Sequence, residues 1–248
     1  MEYAKALILG LVQGLTEFLP ISSSGHLMLL EELGIGQKSL IFNIMLHVAT
    51  LLSVCVIYRK KLWECVKHPL SKEVRHIVIA TLPTAAIAFF VRLTFDKIGL
   101  KLLPFGFMIT TAMLVLGSLK WEQNKKMDNV SAFITGIAQG IATIGGVSRS
   151  GSTVSAQIML GIDKKEAGDF SFMLSIPIII GSAVAEAIAF DGFGKVSAAP
   201  LLIAMAAAFL SGLLAIKTFL RILATKSLLP FAAYTFLISI AAFVIIYG

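Results

Sequence analysis

The chain has 248 residues, 57% of them hydrophobic and 14% charged, with a formal net charge of +7 and a mean hydropathy of +0.90. Soluble globular domains carry roughly 25% charged residues, so the composition excludes a soluble domain and predicts an all-α polytopic membrane protein. The basic excess is what membrane proteins place on cytoplasmic loops and calls for no nucleic-acid partner, while Cys55 in an apolar stretch and Cys65 in a basic one imply no disulfide framework.

In chain order, residues 6–30 are apolar but broken by Gln13, Glu17, Pro20, Ser22, Ser23, Ser24 and His26. No cleavable signal peptide is expected, because this run holds Gln13 and Glu17 and lacks a small-residue cleavage site after a basic start. Neither 6–19 nor 25–33 reaches the ~20 residues that a spanning helix needs. Irregular backbone is tolerated at membrane depth where protein or a watery cavity surrounds it. Segment 6–33 is therefore predicted to be a re-entrant helix–loop–helix. Six spans are predicted from hydropathy at about 40–58, 76–95, 104–119, 168–189, 199–216 and 230–247, with 104–119 extending into its flanks. A second broken segment, 130–160, separates the third span from the fourth.

Most of the 21 lysines and arginines fall in 59–75, 120–129, 164–165 and 217–228, all on one side of this arrangement. Lys5, Lys38, Arg92, Lys97, Lys101 and Lys195 fall on the other. The first side is expected to be cytoplasmic, with both termini outside.

The two broken segments are copies of each other. Residues 6–27, ALILGLVQGLTEFLPISSSGHL, align without a gap to 132–153, AFITGIAQGIATIGGVSRSGST, at an offset of 126. Leu103-Pro104-Phe105 recurs as Leu229-Pro230-Phe231 at the same offset. Each half, 1–126 and 127–248, thus carries one hairpin and three spans. An odd number of crossings per repeat requires the halves to insert upside-down relative to each other. In such inverted-topology repeats, matched broken helices meet near the midplane and form the binding site.

The candidate chemistry lies in these copies. Gln13 and Glu17 are spaced i, i+4 and share a helix face. A carboxylate inside the membrane is costly unless paired, so Glu17 reads as functional, as a salt-bridge partner of Arg149, or as both. Gln13 has Gln139 as its repeat partner, and a hydrogen-bonding role between helices suits it equally. Pro20 ends the first half-helix. Ser22, Ser23 and Ser24 then open the second, where capping hydroxyls and free N–H groups make an anion site. Ser148, Ser150 and Thr153 repeat the arrangement around Arg149, whose planar fork matches phosphate. His26 follows the first serine loop and can serve as nucleophile or as general acid or base. His47 is a weaker candidate, equally suited to helix packing. Together these features predict a site for a phosphorylated lipid, with membrane lipids as surroundings. A diphosphate would bring a divalent cation, Mg²⁺ or Ca²⁺, for which Glu17 is a suitable oxygen ligand.

The stretch Gln13 to His26, QGLTEFLPISSSGH, resembles the first signature of the undecaprenyl-diphosphate phosphatase family, also known for bacitracin resistance. Gly146 to Thr153, GVSRSGST, resembles its second, and Leu46–Thr50, Thr81–Ala86 and Phe170–Pro177 resemble further blocks. The resemblance implies a cell-membrane enzyme that removes the terminal phosphate of undecaprenyl diphosphate at the outer face and regenerates the carrier for cell-wall synthesis. It implies Glu17 and His26 as the catalytic pair, Ser23 in the catalytic loop, phosphate binding at Arg149, and a divalent cation. A homodimer is left open. Two departures stand out. Gly145-Gly146 replaces the family's usual Pro-Gly, and Gln13 occupies a position that the family fills with Glu or Gln, so it brings no charge to a metal. Whether His26 or Ser23 attacks phosphorus stays open here. A secondary transporter or flippase of a polyprenyl phosphate is the alternative, because inverted repeats also support alternating access.

Overall fold

The computed structural model describes residues 3–36, 39–95, 98–188 and 197–248. Among them the backbone is helical, in the order α1 (Tyr3–Phe18), α2 (Ser23–Glu32), α3 (Leu40–Ile57), α4 (Arg59–Lys67), α5 (Lys72–Phe95), α6 (Gly99–Gly117), α7 (Asn129–Ile141), α8 (Arg149–Met159), α9 (Lys164–Ile188), α10 (Ala198–Thr225) and α11 (Leu229–Tyr247). Six of these, α3, α5, α6, α9, α10 and α11, are long and apolar enough to cross a membrane. The protein is an all-α polytopic membrane protein, and its two broken segments are the helix pairs α1–α2 and α7–α8.

Several boundaries differ from the hydropathy reading. Helix α5 begins at Lys72 rather than 76, α6 at Gly99 rather than 104, and α9 at Lys164 rather than 168, while α10 continues past 216 to Thr225. Hydropathy stops at the first charge, whereas helical hydrogen bonding continues through interfacial lysines whose long stems keep the ammonium in water. The matched Leu-Pro-Phe triplets behave differently. Pro230 lies at the first turn of α11, where its missing N–H costs nothing, but Pro104 lies inside α6. The basic stretch 59–75 holds the short helix α4, which is too short to announce itself by periodicity. Lys38, Lys97, Lys195 and the last residue of the 168–189 span lie outside the described residues.

Small residues set the packing. The first helix of each pair runs along a span of the opposite half, α1 along α10 and α7 along α5. Where they cross, Gly10 abuts the Ala204 carbonyl and Gly136 abuts the Ala80 carbonyl, leaving no room for a side chain in either case. Close backbone approach at small residues is the usual source of attraction between helices in lipid, where burying apolar surface yields nothing. Hydroxyls reinforce it. Thr84 Oγ1 lies 2.8 Å from the Gly136 carbonyl oxygen, and Ser53 Oγ donates to the Phe209 carbonyl at 2.8 Å. Phe18, Phe172 and Phe219 form the aromatic centre of the largest buried cluster, with edge-on rings 5.7 and 6.0 Å apart. Leu82, Phe90, Leu202 and Leu237, by contrast, are about two-thirds exposed, as side chains facing lipid would be.

Candidate active site

Both hairpin loops are built the same way. Ser22 caps α2 by accepting from Gly25 N–H at 3.3 Å, and Ser148 caps α8 by accepting from Gly151 N–H at 3.1 Å. The next hydroxyls but one follow suit, Ser24 Oγ lying 3.4 Å from Ser22 Oγ and Ser150 Oγ 3.3 Å from Ser148 Oγ. The backbones differ. Ser22 sits at φ +71°, a left-handed conformation uncommon for a side-chain-bearing residue, whereas Ser148 is extended. In the second loop the left-handed position is Gly146, at φ +86°. That glycine is required, since a Cβ there would drive into the Leu103 carbonyl. The loop is pinned to α6 through Thr110, which accepts from Ser148 N–H at 2.8 Å and donates to the Gly146 carbonyl at 3.0 Å. Ser150 Oγ joins the two hairpins by donating to the Leu19 carbonyl at 3.3 Å.

Between the loops is a cavity of about 250 Å³. Glu17, Ser22, Ser23, Ser24, His47, Ser148 and Arg149 line it, together with Thr16, Gln139, Thr143, Ser182 and the apolar Ile44, Ile178 and Ile179. Glu17 is its electrostatic centre and is only 7% exposed. Arg149 Nη2 donates to Glu17 Oε1. The other carboxylate oxygen, Oε2, accepts from Ser23 Oγ at 2.5 Å and from Gln13 Nε2 at 3.1 Å. Gln13 Nε2 also lies 3.1 Å from His47 Nδ1, and His47 Nδ1 is 3.5 Å from Glu17 Oε2. The amide orientation is forced, because turning it over would set Gln13 Oε1 against the carboxylate. Gln13 Nε2 thus faces both Glu17 and His47 Nδ1, and joins the two side chains.

Three buried polar atoms around this site lack partners, Gln13 Oε1, Gln139 Oε1 and Arg149 Nη1. Unsatisfied buried donors and acceptors are costly and usually mark a function or a bound species. Arg149 thus has one guanidinium nitrogen on Glu17 and another available to a ligand.

The remaining expected site residues lie elsewhere. Thr153 is fully buried behind the loop, donating to the Arg149 carbonyl at 2.8 Å with Ser171 Oγ at 2.6 Å, and it and Ser150 support the loop without lining the cavity. His26 does not line the cavity either. Its Nδ1 lies 2.7 Å from the Ser22 carbonyl oxygen and its Nε2 lies 2.8 Å from the Tyr234 hydroxyl. A carbonyl can only accept, so Nδ1 carries the proton and Nε2 of the neutral ring accepts from Tyr234. The imidazole also stacks parallel to Tyr234, centroids 5.7 Å apart, and meets Phe107 edge-on at 5.5 Å. Sequence reading missed Tyr234, Thr110 and the lining role of Thr143. Tyr234 carried one faint signal, a phenol inside an otherwise apolar span.

Among the described residues no cluster of three His, Cys, Asp or Glu side chains could hold a metal ion. One carboxylate and the free Gln13 Oε1 are nonetheless suited to a hard cation that takes its other ligands from a diphosphate, the usual manner of Mg²⁺ binding.

The family model described as bacitracin resistance protein BacA matches residues 6–241. An undecaprenyl-diphosphatase of Treponema denticola is 39% identical to the chain, with 94% of each sequence covered. One from Carboxydothermus hydrogenoformans is 35% identical over 99% of this chain and 98% of its own. One from Korarchaeum cryptofilum is 36% identical over 97% of this chain and 98% of its own. With the family model matching nearly the whole length, and relatives of 35–39% identity covering nearly all of the chain, the chain belongs to the bacitracin resistance protein BacA family.

Proposed function

We propose that this membrane protein is an undecaprenyl-diphosphate phosphatase whose Ser23 attacks the terminal phosphorus while Glu17 takes the hydroxyl proton. One observation carries the assignment of roles. The Ser23 hydroxyl and the Arg149 guanidinium hold opposite oxygens of the same buried carboxylate.

Arg149 and the N-termini of α2 and α8 receive the terminal phosphate, which draws the guanidinium partly away from Glu17. The carboxylate then becomes a stronger base toward the one hydroxyl it already accepts from. Ser23 Oγ forms the new bond to phosphorus, its proton passes to Glu17 Oε2, and the anhydride bond breaks to release undecaprenyl phosphate. Water next attacks the serine phosphate as the proton held on Glu17 returns to the departing Ser23 Oγ; the water's own proton takes its place on Glu17 and is lost to solvent as inorganic phosphate leaves. Arginine and helix termini aimed at charge that grows on the phosphoryl oxygens supply the electrostatic part of the catalysis. His26 holds the Ser22 carbonyl and thereby the mouth of α2, and His47 with Gln13 fixes the Glu17 carboxylate. Mg²⁺ or Ca²⁺, held by Glu17 and Gln13 Oε1 alongside the diphosphate, would neutralise phosphate charge. Chelation should then abolish hydrolysis and either ion restore it.

The cavity's depth supports an outward-facing site in the cytoplasmic membrane. His47 is seven residues into α3 on the lysine-poor side, and Ser182 lies roughly 27 Å along α9 from its lysine-bearing start. The inverted insertion of the two halves follows the same logic, since α1 and α7 make matching contacts with α10 and α5. The transporter alternative is set aside, because transport alone needs neither Glu17 nor Ser23 in only one copy.

The deciding experiment is an acid quench of the purified protein turning over substrate labelled in its terminal phosphate. Label retained on the Ser23 peptide, and absent from Ser23→Ala, is the expected result. Near-normal hydrolysis by Ser23→Ala would rule out the serine attack.

A further inference from the structure

Gln139 on α7 is only 1% exposed, yet it lines the cavity that holds Glu17, Ser23 and Arg149. It is the repeat counterpart of Gln13, and the reaction as derived so far leaves it without a task. Its amide is held from one end. Nε2 lies 3.3 Å from Thr84 Oγ1 of α5, while Oε1 has no partner among the described residues. Thr84 fixes which end of the amide is which. Its hydroxyl has two carbonyl acceptors, of Ala80 and of Gly136, each at 2.8 Å. A hydroxyl carries one hydrogen, so toward the amide Thr84 Oγ1 accepts, and only the NH₂ end can face it. Thr143, four residues on from Gln139, cannot supply the missing bond, because its own hydroxyl donates to the Gly140 carbonyl at 2.7 Å.

A buried carbonyl oxygen without a donor is costly, and such a group usually marks a function or a bound species. Whatever satisfies Oε1 must bring a hydrogen or a positive charge. The ionised oxygens of a phosphate bring neither, and the carbonyl dipole repels them. A hard cation is poorly served as well. Thr143 stands where the first copy has Glu17, so Gln139 has no carboxylate beside it on its own hairpin, and cations of this kind are held through carboxylates. Arg149 Nη1, the free donor of the same cavity, does not reach it. Water fits. It donates one hydrogen to the amide and keeps the other, with a lone pair, for chemistry.

We infer that Gln139 is a positioning residue for the second half of the reaction, its Oε1 accepting one hydrogen of the water that attacks the serine phosphate. The inference rests on the covalent Ser23 route proposed above. The water oxygen bonds to phosphorus as the bond from phosphorus to Ser23 Oγ breaks. The electron pair of that bond stays on Oγ, which takes the proton held on Glu17. The hydrogen that water does not point at Gln139 passes to Glu17 in its place. Gln139 exchanges no proton and only turns the water so that a lone pair faces phosphorus, as glutamine does for the attacking water in GTP hydrolysis. The first half of the reaction uses no water, so it does not depend on Gln139.

Rapid quench separates the two halves. Wild type and Gln139→Met, which keeps the length of the side chain but lacks the carbonyl, are mixed in detergent with Mg²⁺ and a polyprenyl diphosphate labelled in its terminal phosphate. Acid quenching follows the appearance of label on the Ser23 peptide and, after a chase with unlabelled substrate, its loss. In the variant, label is expected to appear at the wild-type rate and to leave about 10- to 100-fold more slowly, with kcat falling as the loss becomes limiting. A merely structural role would slow both halves together. If Gln139→Met does not fold, Gln139→Asn, which keeps the amide but withdraws the carbonyl by one methylene, is expected to show the same delay to a smaller degree. Equal slowing of both halves, or an unchanged rate of loss, would overturn the inference while leaving the Ser23 route intact. So would a raised Mg²⁺ requirement with unchanged loss, which makes Gln139 a cation ligand instead. Absence of label from Ser23 in the wild type would sink the serine route, and this inference with it.

Discussion

The two hairpins have nearly the same frame and opposite contents. Both place a capping serine before a half-helix, and both set a glycine of the first helix against an alanine carbonyl of a span from the other half. Yet aligned positions hold different groups. Ser23 in one copy corresponds to Arg149 in the other, Glu17 to Thr143, and His26 to Ser152. The contents are complementary. The residue that would attack phosphorus and the residue that would hold the phosphate occupy the same place in two copies brought face to face, with Glu17 between them. Two similar frames thus present opposite charges to one cavity, a carboxylate from the first hairpin and a guanidinium from the second.

The comparison breaks first if the acidic copy has no special role. Ser23→Ala and Glu17→Gln are each expected to lower kcat by about 10³-fold or more, and the double variant to be scarcely worse than either, because a nucleophile and its base act as a unit. Thr143→Ala and Ser152→Ala, at the positions of the other copy that align with Glu17 and His26, should leave hydrolysis near the wild-type rate. Steady-state phosphate release from a polyprenyl diphosphate measures all five. Arg149→Ala comes next, with an expected loss of about 10²–10³-fold. Lys at this position should recover part of it by restoring the charge without the fork. Smaller still are His26→Asn and Tyr234→Phe. If His26 serves to hold the α2 entrance, each removes roughly one hydrogen bond's worth of positioning, about tenfold in kcat. A His26→Asn loss equal to that of Ser23→Ala would instead make the imidazole a direct participant.

Much of this was legible before the structure, for identifiable reasons. Glycine, proline and serine at fixed offsets announce broken helices, and a carboxylate and a guanidinium in apolar surroundings announce each other. What the sequence could not convey was direction. Glu17 and His26 flank the same serine loop, so proximity in the chain pairs them, but α2 begins between them and carries His26 away from the cavity toward α6 and α11. Tyr234 is 208 residues from His26, and no local pattern links them. His47 stayed a weaker candidate because a histidine seven residues into a span suits helix packing equally well, and only the fold brings it to Gln13 and Glu17. The short helix α4 escaped because nine residues of mixed charge resemble a loop.

The smallest effects should fall where the copies are most alike. Gly10 and Gly136 occupy aligned positions, and a methyl group at either would press on a backbone carbonyl, of Ala204 or of Ala80, that cannot turn aside as a flexible side chain would. Overpacking of this kind typically costs about 1–3 kcal/mol. The two alanine variants should therefore lose thermal stability by similar amounts, with hydrolysis little changed below the transition. Unequal losses would locate a real difference in the frame. Gly10 lies on α1, whose far end carries Glu17, so a shift of α10 there would also disturb Gln13 and the carboxylate it fixes. If Gly10→Ala lowers kcat while Gly136→Ala does not, the acidic hairpin is more sensitive to its packing than the cationic one. An arginine on a long flexible stem can follow a displaced phosphate, whereas a hydroxyl poised on a carboxylate has no such reach.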